Sequence, residues 1–189
     1  MNSKYEKILN EIKNLKKDEN FMHKICNLLY NKIDHYDWVG FYMINESNKN
    51  ELLLGPFKGE PTEHKKIKVG EGICGQAADK KETFIVPDVK NVDNYLSCSP
   101  DVKSEIVIPI FQNYEVIGEI DIDSHNIDSF NKDDENLLQK IADIVVNYLD
   151  NKNNFWLNEF INSAKMQFII LFVNKMGVYG KKYFYCSNR

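Results

Sequence analysis

The sequence predicts an α+β domain in which a central antiparallel sheet is flanked by helices on one face. Two pairs of apolar segments, each joined by a short polar loop, are typical of β-hairpins. Apolar residues at helical spacing precede the first pair and follow the second. A chain of 189 residues with 43% hydrophobic and 28% charged side chains is long enough for one globular domain with a substantial core.

Helical spacing marks both ends of this pattern. Near the N-terminus the apolar residues are Ile8, Ile12 and Leu15, followed by Phe21, Ile25, Leu28 and Leu29. Asn131 is placed to cap a last helix, whose apolar stripe consists of Leu137, Leu138, Ile141, Ile144, Val145 and Tyr148. Each stripe predicts a helix that buries one side against the sheet.

The strand pattern lies between these helices. WVGFYMI (38–44) and ELLLGPF (51–57) predict one hairpin, and SEIVIPIF (104–111) and VIGEIDID (116–123) predict another. TFIV (83–86) predicts a short strand between the hairpins. The rest of residues 58–103 shows little regular pattern, so we expect loops that form a site there.

Charge and cysteine content narrow the class of protein. The net charge of −4 argues against a general nucleic-acid binder. No apolar run approaches the roughly 20 residues that span a bilayer, and the charged pattern of residues 1–19 differs from a signal peptide. Four irregularly spaced cysteines then predict a reducing compartment, and we expect the cytoplasm.

We place a domain boundary after Asp150. Residues 1–150 carry a net charge of −9, whereas residues 151–189 carry +5 and nine of the 23 aromatic residues. This basic, aromatic-rich tail is open to three interpretations: a docked helix, a membrane-surface segment, or a stretch without a role, which we favour. We therefore expect residues 1–150 to fold without the tail.

The segment KVGEGICGQA (68–77) places Cys74 among three glycines, at the start of a helix expected to begin near Ile73. Its G-x-G-x-x-G spacing matches a dinucleotide fingerprint, but no buried apolar strand precedes it and no strand–helix alternation follows. A helix N-terminus lowers the pKa of a thiol and attracts anions. Cys74 is therefore either a functional residue, as a reactive thiol or as the neighbour of a bound carboxylate, or only a small residue at a tight turn. The spacing alone favours neither interpretation.

A second cysteine, Cys98, lies in a polar loop between two serines, where a core position is not expected. Cys74 and Cys98 fit either a redox pair or two ligands of a zinc site that His64 and Asp123 would complete. The chain lacks the C-x-x-C and H-x-x-x-H spacings typical of zinc. We therefore predict no metal and no cofactor.

Acids interrupt the second hairpin. Glu105 opens one strand, and Asp121 and Asp123 alternate with isoleucines at the end of the other, which places both on one side. Alternation alone favours a solvated outer face. Together with Trp38 and Tyr42 of the first hairpin and the two loop cysteines, the acids suit a small ligand with a cation and an oxidisable sulfur.

Six segments occur in an order and spacing that resemble a known family: DWVGFYMI, LLLGPFKGEP, VGEGICGQAA, VPDVKNVDNYLSC, SEIVIPIF and VIGEIDIDS. Over about residues 5–150 the chain resembles the free methionine-(R)-sulfoxide reductases, which are built on a GAF domain. The resemblance implies a GAF-like fold and reduction of free L-methionine (R)-sulfoxide to L-methionine, with thioredoxin as the usual reductant. Many members have a third cysteine where this chain has His64.

The resemblance also assigns roles. Cys74 and Cys98 are the thiols, and Glu105 is the expected proton donor. We expect Cys98 to attack the sulfoxide, since its loop is near Glu105 in the chain, and Cys74 to resolve the sulfenic acid as a disulfide. The helix N-terminus at Cys74 argues for the opposite order.

The remaining site residues are expected to bind the substrate. Asp121 and Asp123 suit its α-ammonium, the N–H groups near Gly72 and Ile73 suit its carboxylate, and Trp38 and Tyr42 match the wall of the family's pocket. The expected partners are free methionine sulfoxide, thioredoxin and, in a homodimer, a second copy of the chain, with no nucleic acid and no membrane span. The alternative is a GAF module that binds a small molecule as a sensor without chemistry.

Overall fold

The computed structural model describes residues 3–93, 95–96 and 99–152. Cys98 and all but the first two residues of the tail 151–189 lie outside the described residues. By its contacts the chain divides into a unit of Met1–Tyr148 and a unit of Leu149–Arg189. The expected boundary after Asp150 remains a prediction.

The helices and strands follow the sequence pattern closely. The helices are α1 (Ser3–Asn14), α2 (Phe21–Lys32), α3 (Gly72–Lys80) and α4 (132–152), and a short 3-10 helix covers Val89–Asn91. The strands are β1 (Trp38–Asn45), β2 (Asn48–Lys58), β3 (Lys66–Lys68), β4 (Phe84–Val86), β5 (Ser104–Gln112) and β6 (Glu115–Ser124). No helix in these ranges is long and apolar enough to cross a membrane.

The six strands form one antiparallel sheet in the order β3-β2-β1-β6-β5-β4, which confirms the predicted α+β class. Both predicted hairpins are present, as β1–β2 and β5–β6. The second closes through Asn113 and Tyr114, whose positive φ values of 50° and 67° suit a two-residue turn. The edge strand β3 was not predicted, because it has three residues and only Ile67 is buried.

Alternation along the strands divides the core between two faces. Val39 and Phe41 of β1 belong to one face, which is covered by the layer of α1, α2 and α4; Phe21 of α2 contacts Tyr148 of α4 within this layer. The opposite face carries Trp38 and Tyr42, and α3 packs there. The sequence led us to expect helices on one face, but α3 covers the other.

Asp134, at the start of α4, links this helix to α1 and to the segment that precedes β1. The Tyr36 hydroxyl donates to Asp134 Oδ1 at 3.1 Å, the Tyr5 hydroxyl donates to the same atom, and His35 Nε2 lies 3.0 Å from it. The Asn131 amide donates to Oδ2 at 2.9 Å. Burial opposes ionisation of Asp134, but the hydrogen bonds from His35, Tyr5 and Asn131 outweigh it and lower the pKa of this carboxyl.

We predict that Asp134→Asn lowers the free energy of unfolding by about 2 kcal/mol at neutral pH, because an amide replaces a buried carboxylate that accepts several hydrogen bonds. The folded-state pKa of Asp134 is lowered, so its stabilisation is present above the ordinary carboxyl pKa and disappears as the pH falls through the folded value. Urea titrations at several pH values measure this loss. Asp143→Asn, at an exposed position of the same helix, is the control, and equal stability of both variants would contradict the role of Asp134.

Candidate active site

Three acids of β6 form a row on the face that α3 covers. Glu119, Asp121 and Asp123 occupy alternate positions, and each is 0% exposed. Asp123 pairs in register with Trp38 of β1 and Glu105 of β5. Successive side chains of a strand point to opposite faces, so the isoleucines between the acids enter the core on the other side.

Cys74 approaches this row from α3. Its Sγ donates to Glu105 Oε1 at 3.9 Å. The Cys74 sulfur, one Glu105 oxygen and one Asp121 oxygen all lie within 4.8 Å of one another, and all three residues are buried. The face therefore brings together a thiol and carboxyl groups from three separate elements.

The glycines of the preceding loop are required by its geometry. Gly70 and Gly72 have φ values of 93° and 62°, a conformation that L side chains rarely adopt. A Cβ on Gly75 would lie 2.3 Å from the Lys68 carbonyl oxygen, and the Gly70 amide donates to the Gly75 carbonyl at 2.8 Å. The fold thus accounts for the G-x-G-x-x-G spacing and places Cys74 in the first turn of α3.

Burial controls the electrostatics of the acids. It raises the pKa of Glu105 well above its ordinary value, and the neighbouring acids Asp121, Asp123 and Glu119 raise it further. Burial also raises the pKa of Glu119 strongly and that of Asp121 to about 7. Within the described part of the chain, the carboxyl oxygens of Glu119 and Asp121 have no hydrogen-bond partner. The face therefore favours protonated carboxyls or a bound cation over unpaired carboxylates.

An aromatic wall adjoins the acids. The Trp38 ring stacks on Phe57 at a centroid distance of 5.6 Å and on Tyr42 at 6.3 Å. A Cβ on Gly40 would lie 2.1 Å from the Trp38 ring, so only glycine lets the indole cross the strand there. Trp38 Nε1 donates to the Glu60 carbonyl at 3.0 Å, and the Tyr42 hydroxyl donates to the His64 carbonyl at 2.8 Å.

The structure brings most of the expected site residues onto one face. The residues that it places there are Cys74, Glu105, Asp121, Asp123, Trp38 and Tyr42, with Gly72 and Ile73 in the same helical turn as Cys74. Cys98 lies outside the described residues, so its pairing with Cys74 remains a prediction. Cys26 is buried on α2, and its thiol donates to the Pro56 carbonyl at 3.4 Å. Burial raises the pKa of this thiol, which is typical of a structural cysteine.

Sequence reasoning missed Glu119 and Phe57. The signal for Glu119 was present, because the two-residue spacing of Asp121 and Asp123 extends one step back to it. No signal in the sequence marked Phe57, since its contact with Trp38 depends on how β2 pairs with β1.

The chain is similar to a known family of domains and to proteins of known name. The GAF domain family model matches residues 19–150. The free methionine-R-sulfoxide reductase of Saccharomyces cerevisiae is 42% identical over 110 residues, which cover 58% of this chain and 61% of that protein. The enzyme of the same name from Escherichia coli is 32% identical over 128 residues, which cover 66% of this chain and 75% of that protein.

Solved structures agree with these relatives. The X-ray structure of free methionine-R-sulfoxide reductase from Neisseria meningitidis in complex with its substrate superposes with a TM-score of 0.69 at 30% sequence identity. The match covers 77% of this chain and 86% of that chain. The GAF fold is thereby established.

We predict that Glu119→Leu stabilises the protein at alkaline pH by about 2 kcal/mol, because a buried carboxyl without a partner is removed. The pKa of Glu119 is raised on folding, so its wild-type contribution is most favourable below the unfolded-state pKa and is lost as the pH rises. The gain should consequently be larger at about pH 8 than at about pH 4. Urea unfolding at both pH values measures it.

The control for this prediction is Glu115→Leu at the exposed start of the same strand, which should show no such difference. A Glu119→Leu protein that is less stable than the wild type at both pH values would show that Glu119 is a satisfied part of the core.

Proposed function

The chain belongs to the GAF-domain family of free methionine-(R)-sulfoxide reductases, and from this premise we propose that it reduces free L-methionine (R)-sulfoxide to L-methionine. One observation carries the proposal: the Cys74 thiol lies 3.9 Å from the carboxyl of Glu105 on a face that is lined by buried acids. A thiol beside a protonated carboxyl is the pair of groups that sulfoxide reduction requires.

The acids of β6 bind the substrate through its charge. Asp121 and Asp123 hold the α-ammonium, because a cation is the group that most favours ionisation of buried carboxyls. The N–H groups at the start of α3, near Gly72 and Ile73, receive the α-carboxylate. A methionine sulfoxide within a peptide carries an amide nitrogen instead of an ammonium, so it would leave these carboxyls unpaired and is excluded.

The reaction needs a thiolate and a proton. A cysteine thiolate attacks the sulfoxide sulfur while Glu105 protonates the sulfoxide oxygen, so a bond forms between the two sulfur atoms. Transfer of the hydroxyl from the substrate sulfur to the cysteine sulfur then breaks that bond, which releases methionine and leaves a cysteine sulfenic acid. The second cysteine condenses with the sulfenic acid, water leaves, and a disulfide forms. Burial and the neighbouring acids raise the pKa of Glu105, which favours the protonated carboxyl that a proton donor requires.

We assign the attack to Cys98 and the resolving step to Cys74. Cys74 is 5% exposed and faces the carboxyls of Glu105 and Asp121. Burial disfavours a negative charge on its sulfur, and ionisation would also remove the hydrogen bond that the thiol donates to Glu105. Both effects oppose that of the helix N-terminus. A buried thiol is nevertheless suited to the resolving step, because there it reacts with a sulfenic acid of the same chain to form a disulfide.

Thioredoxin is the reductant that we propose for the disulfide, by thiol–disulfide exchange. A reducing compartment such as the cytoplasm supplies it. His64, at the position of the family's third cysteine, has no thiol to contribute, so the scheme uses two cysteines.

The direct test measures NADPH oxidation by the full chain with thioredoxin and thioredoxin reductase. Free L-methionine (R)-sulfoxide should be turned over, whereas the (S) epimer and N-acetyl-L-methionine (R)-sulfoxide should react at least about tenfold more slowly. Binding of the free sulfoxide without turnover would favour the GAF sensor over the enzyme.

The same assay tests whether Asp121 and Asp123 bind the α-ammonium of the substrate. Asp121→Asn and Asp123→Asn should each lower kcat/KM by about a hundredfold, because the α-ammonium loses a charged partner. Glu115→Gln changes an exposed acid of the same strand and should leave kcat/KM unaltered. Unchanged kinetics in both Asp variants would remove the acids from the binding site.

A further inference from the structure

The acid face contains more ligand groups than one ammonium uses. Cys74 Sγ, a Glu105 oxygen and an Asp121 oxygen lie within 4.8 Å of one another. These three groups come from α3, β5 and β6, so packed secondary structure holds them in place. Such a set can converge on one atom without large movement of the backbone.

Buried polar atoms nearby lack partners. The two carboxyl oxygens of Asp121 are fully buried and have no hydrogen-bond partner among the described residues, and the same is true of Glu119. Glu119 lies two positions before Asp121 on β6, so its side chain points to the same side of the strand. Unpartnered carboxyl oxygens inside a protein indicate that a ligand completes the site.

The chemistry of these groups selects a particular class of cation. Thiolate sulfur favours Zn²⁺ and other thiophilic ions, whereas oxygen ligands alone favour Mg²⁺ or Ca²⁺. With Zn–S of about 2.3 Å and Zn–O of about 2.0 Å, tetrahedral coordination separates sulfur and oxygen by about 3.5 Å. The observed separation of Cys74 Sγ and Glu105 Oε1 is 3.9 Å, so these two atoms need to approach each other only slightly.

We propose that Cys74, Glu105 and Asp121 form a binding site for a thiophilic divalent cation, represented by Zn²⁺, with Glu119 as an additional carboxyl beside the sulfur. The site has no C-x-x-C or H-x-x-x-H signature, which is why the sequence led us to predict no metal. The ligands come together only through the packing of α3 on the sheet.

Metal and substrate exclude each other at this site, a consequence that rests on the proposed function. Zn²⁺ would occupy Asp121, which we assign to the α-ammonium, and Glu105, which we assign to proton donation. It would also hold the Cys74 thiol as a ligand. Zn²⁺ is therefore a reversible inhibitor that competes with the sulfoxide, and the disulfide form of Cys74, which has no thiolate to offer, releases the metal.

The test uses the reduced, metal-free full chain and Zn²⁺ itself, with a chromophoric chelator as competitor. One Zn²⁺ should bind per chain, and Mg²⁺ at the same concentration should not displace it. Cys74→Ser and Glu105→Gln should each weaken Zn²⁺ binding at least about tenfold. Cys26→Ser is the matched control, since Cys26 is buried on α2 away from the acids and should leave binding unchanged.

Two further variants keep the test decisive. Cys98→Ser should retain Zn²⁺ binding. If Cys98→Ser loses Zn²⁺ binding while Cys74→Ser retains it, the proposed set of ligands is wrong. Circular dichroism checks that each variant is folded. If Cys74→Ser or Glu105→Gln does not fold, Asp121→Asn is measured in its place. Binding is measured without substrate, so a chain that binds Zn²⁺ but does not reduce the sulfoxide refutes the proposed function alone. A chain that reduces it without binding Zn²⁺ refutes the metal site alone.

Discussion

The burial of several carboxyl groups on one face of the sheet is the constraint on which the site depends. Glu105, Glu119, Asp121 and Asp123 are each at most 4% exposed. In the described part of the chain, Glu105, Glu119 and Asp121 form no salt bridge with a basic side chain. Such a face is stable only when its acids are protonated or a cation is bound, so protonation and ligand binding are coupled.

Apolar burial on the other face of the sheet offsets the free-energy cost of burying these acids. Ile120 and Ile122 alternate with the acids, are 0% exposed, and enter the core beneath α1, α2 and α4. Burying such side chains contributes about 1.5–3 kcal/mol each. The strand is therefore apolar on one side and acidic on the other, and its apolar side contributes to stability.

The sequence was sufficient for features that depend on local pattern. Two hairpins, the helical stripes and the positions of Asp121 and Asp123 on a common side all follow from periods of two and 3.6 residues. It was insufficient for features that depend on contacts between distant segments. Alternation could not show that the acids are buried, because α3 covers them only after packing, and the three-residue strand β3 acquires its structure by pairing with β2.

The same distinction applies to the cysteines. The glycine loop predicted that Cys74 begins a helix, but its contact with Glu105 joins residues 31 positions apart and could not be read from spacing. That contact changes the interpretation of the thiol, because the hydrogen bond to Glu105 favours the protonated thiol, whereas the helix N-terminus favours the thiolate. Glu119 lies two residues before Asp121, as Asp121 lies two residues before Asp123. The same two-residue alternation therefore predicts that all three acids lie on one side of β6.

Proton release on binding of L-methionine, the product, tests the coupling between cation and carboxyls most directly. Calorimetric titration near pH 7 in buffers of different ionisation enthalpy measures it. About one proton should be released per chain, because the α-ammonium favours ionisation of Asp121, whose pKa is about 7, and of its neighbours. N-acetyl-L-methionine should bind weakly. Equal affinity for the two compounds without proton release would contradict a cation site on the buried acids.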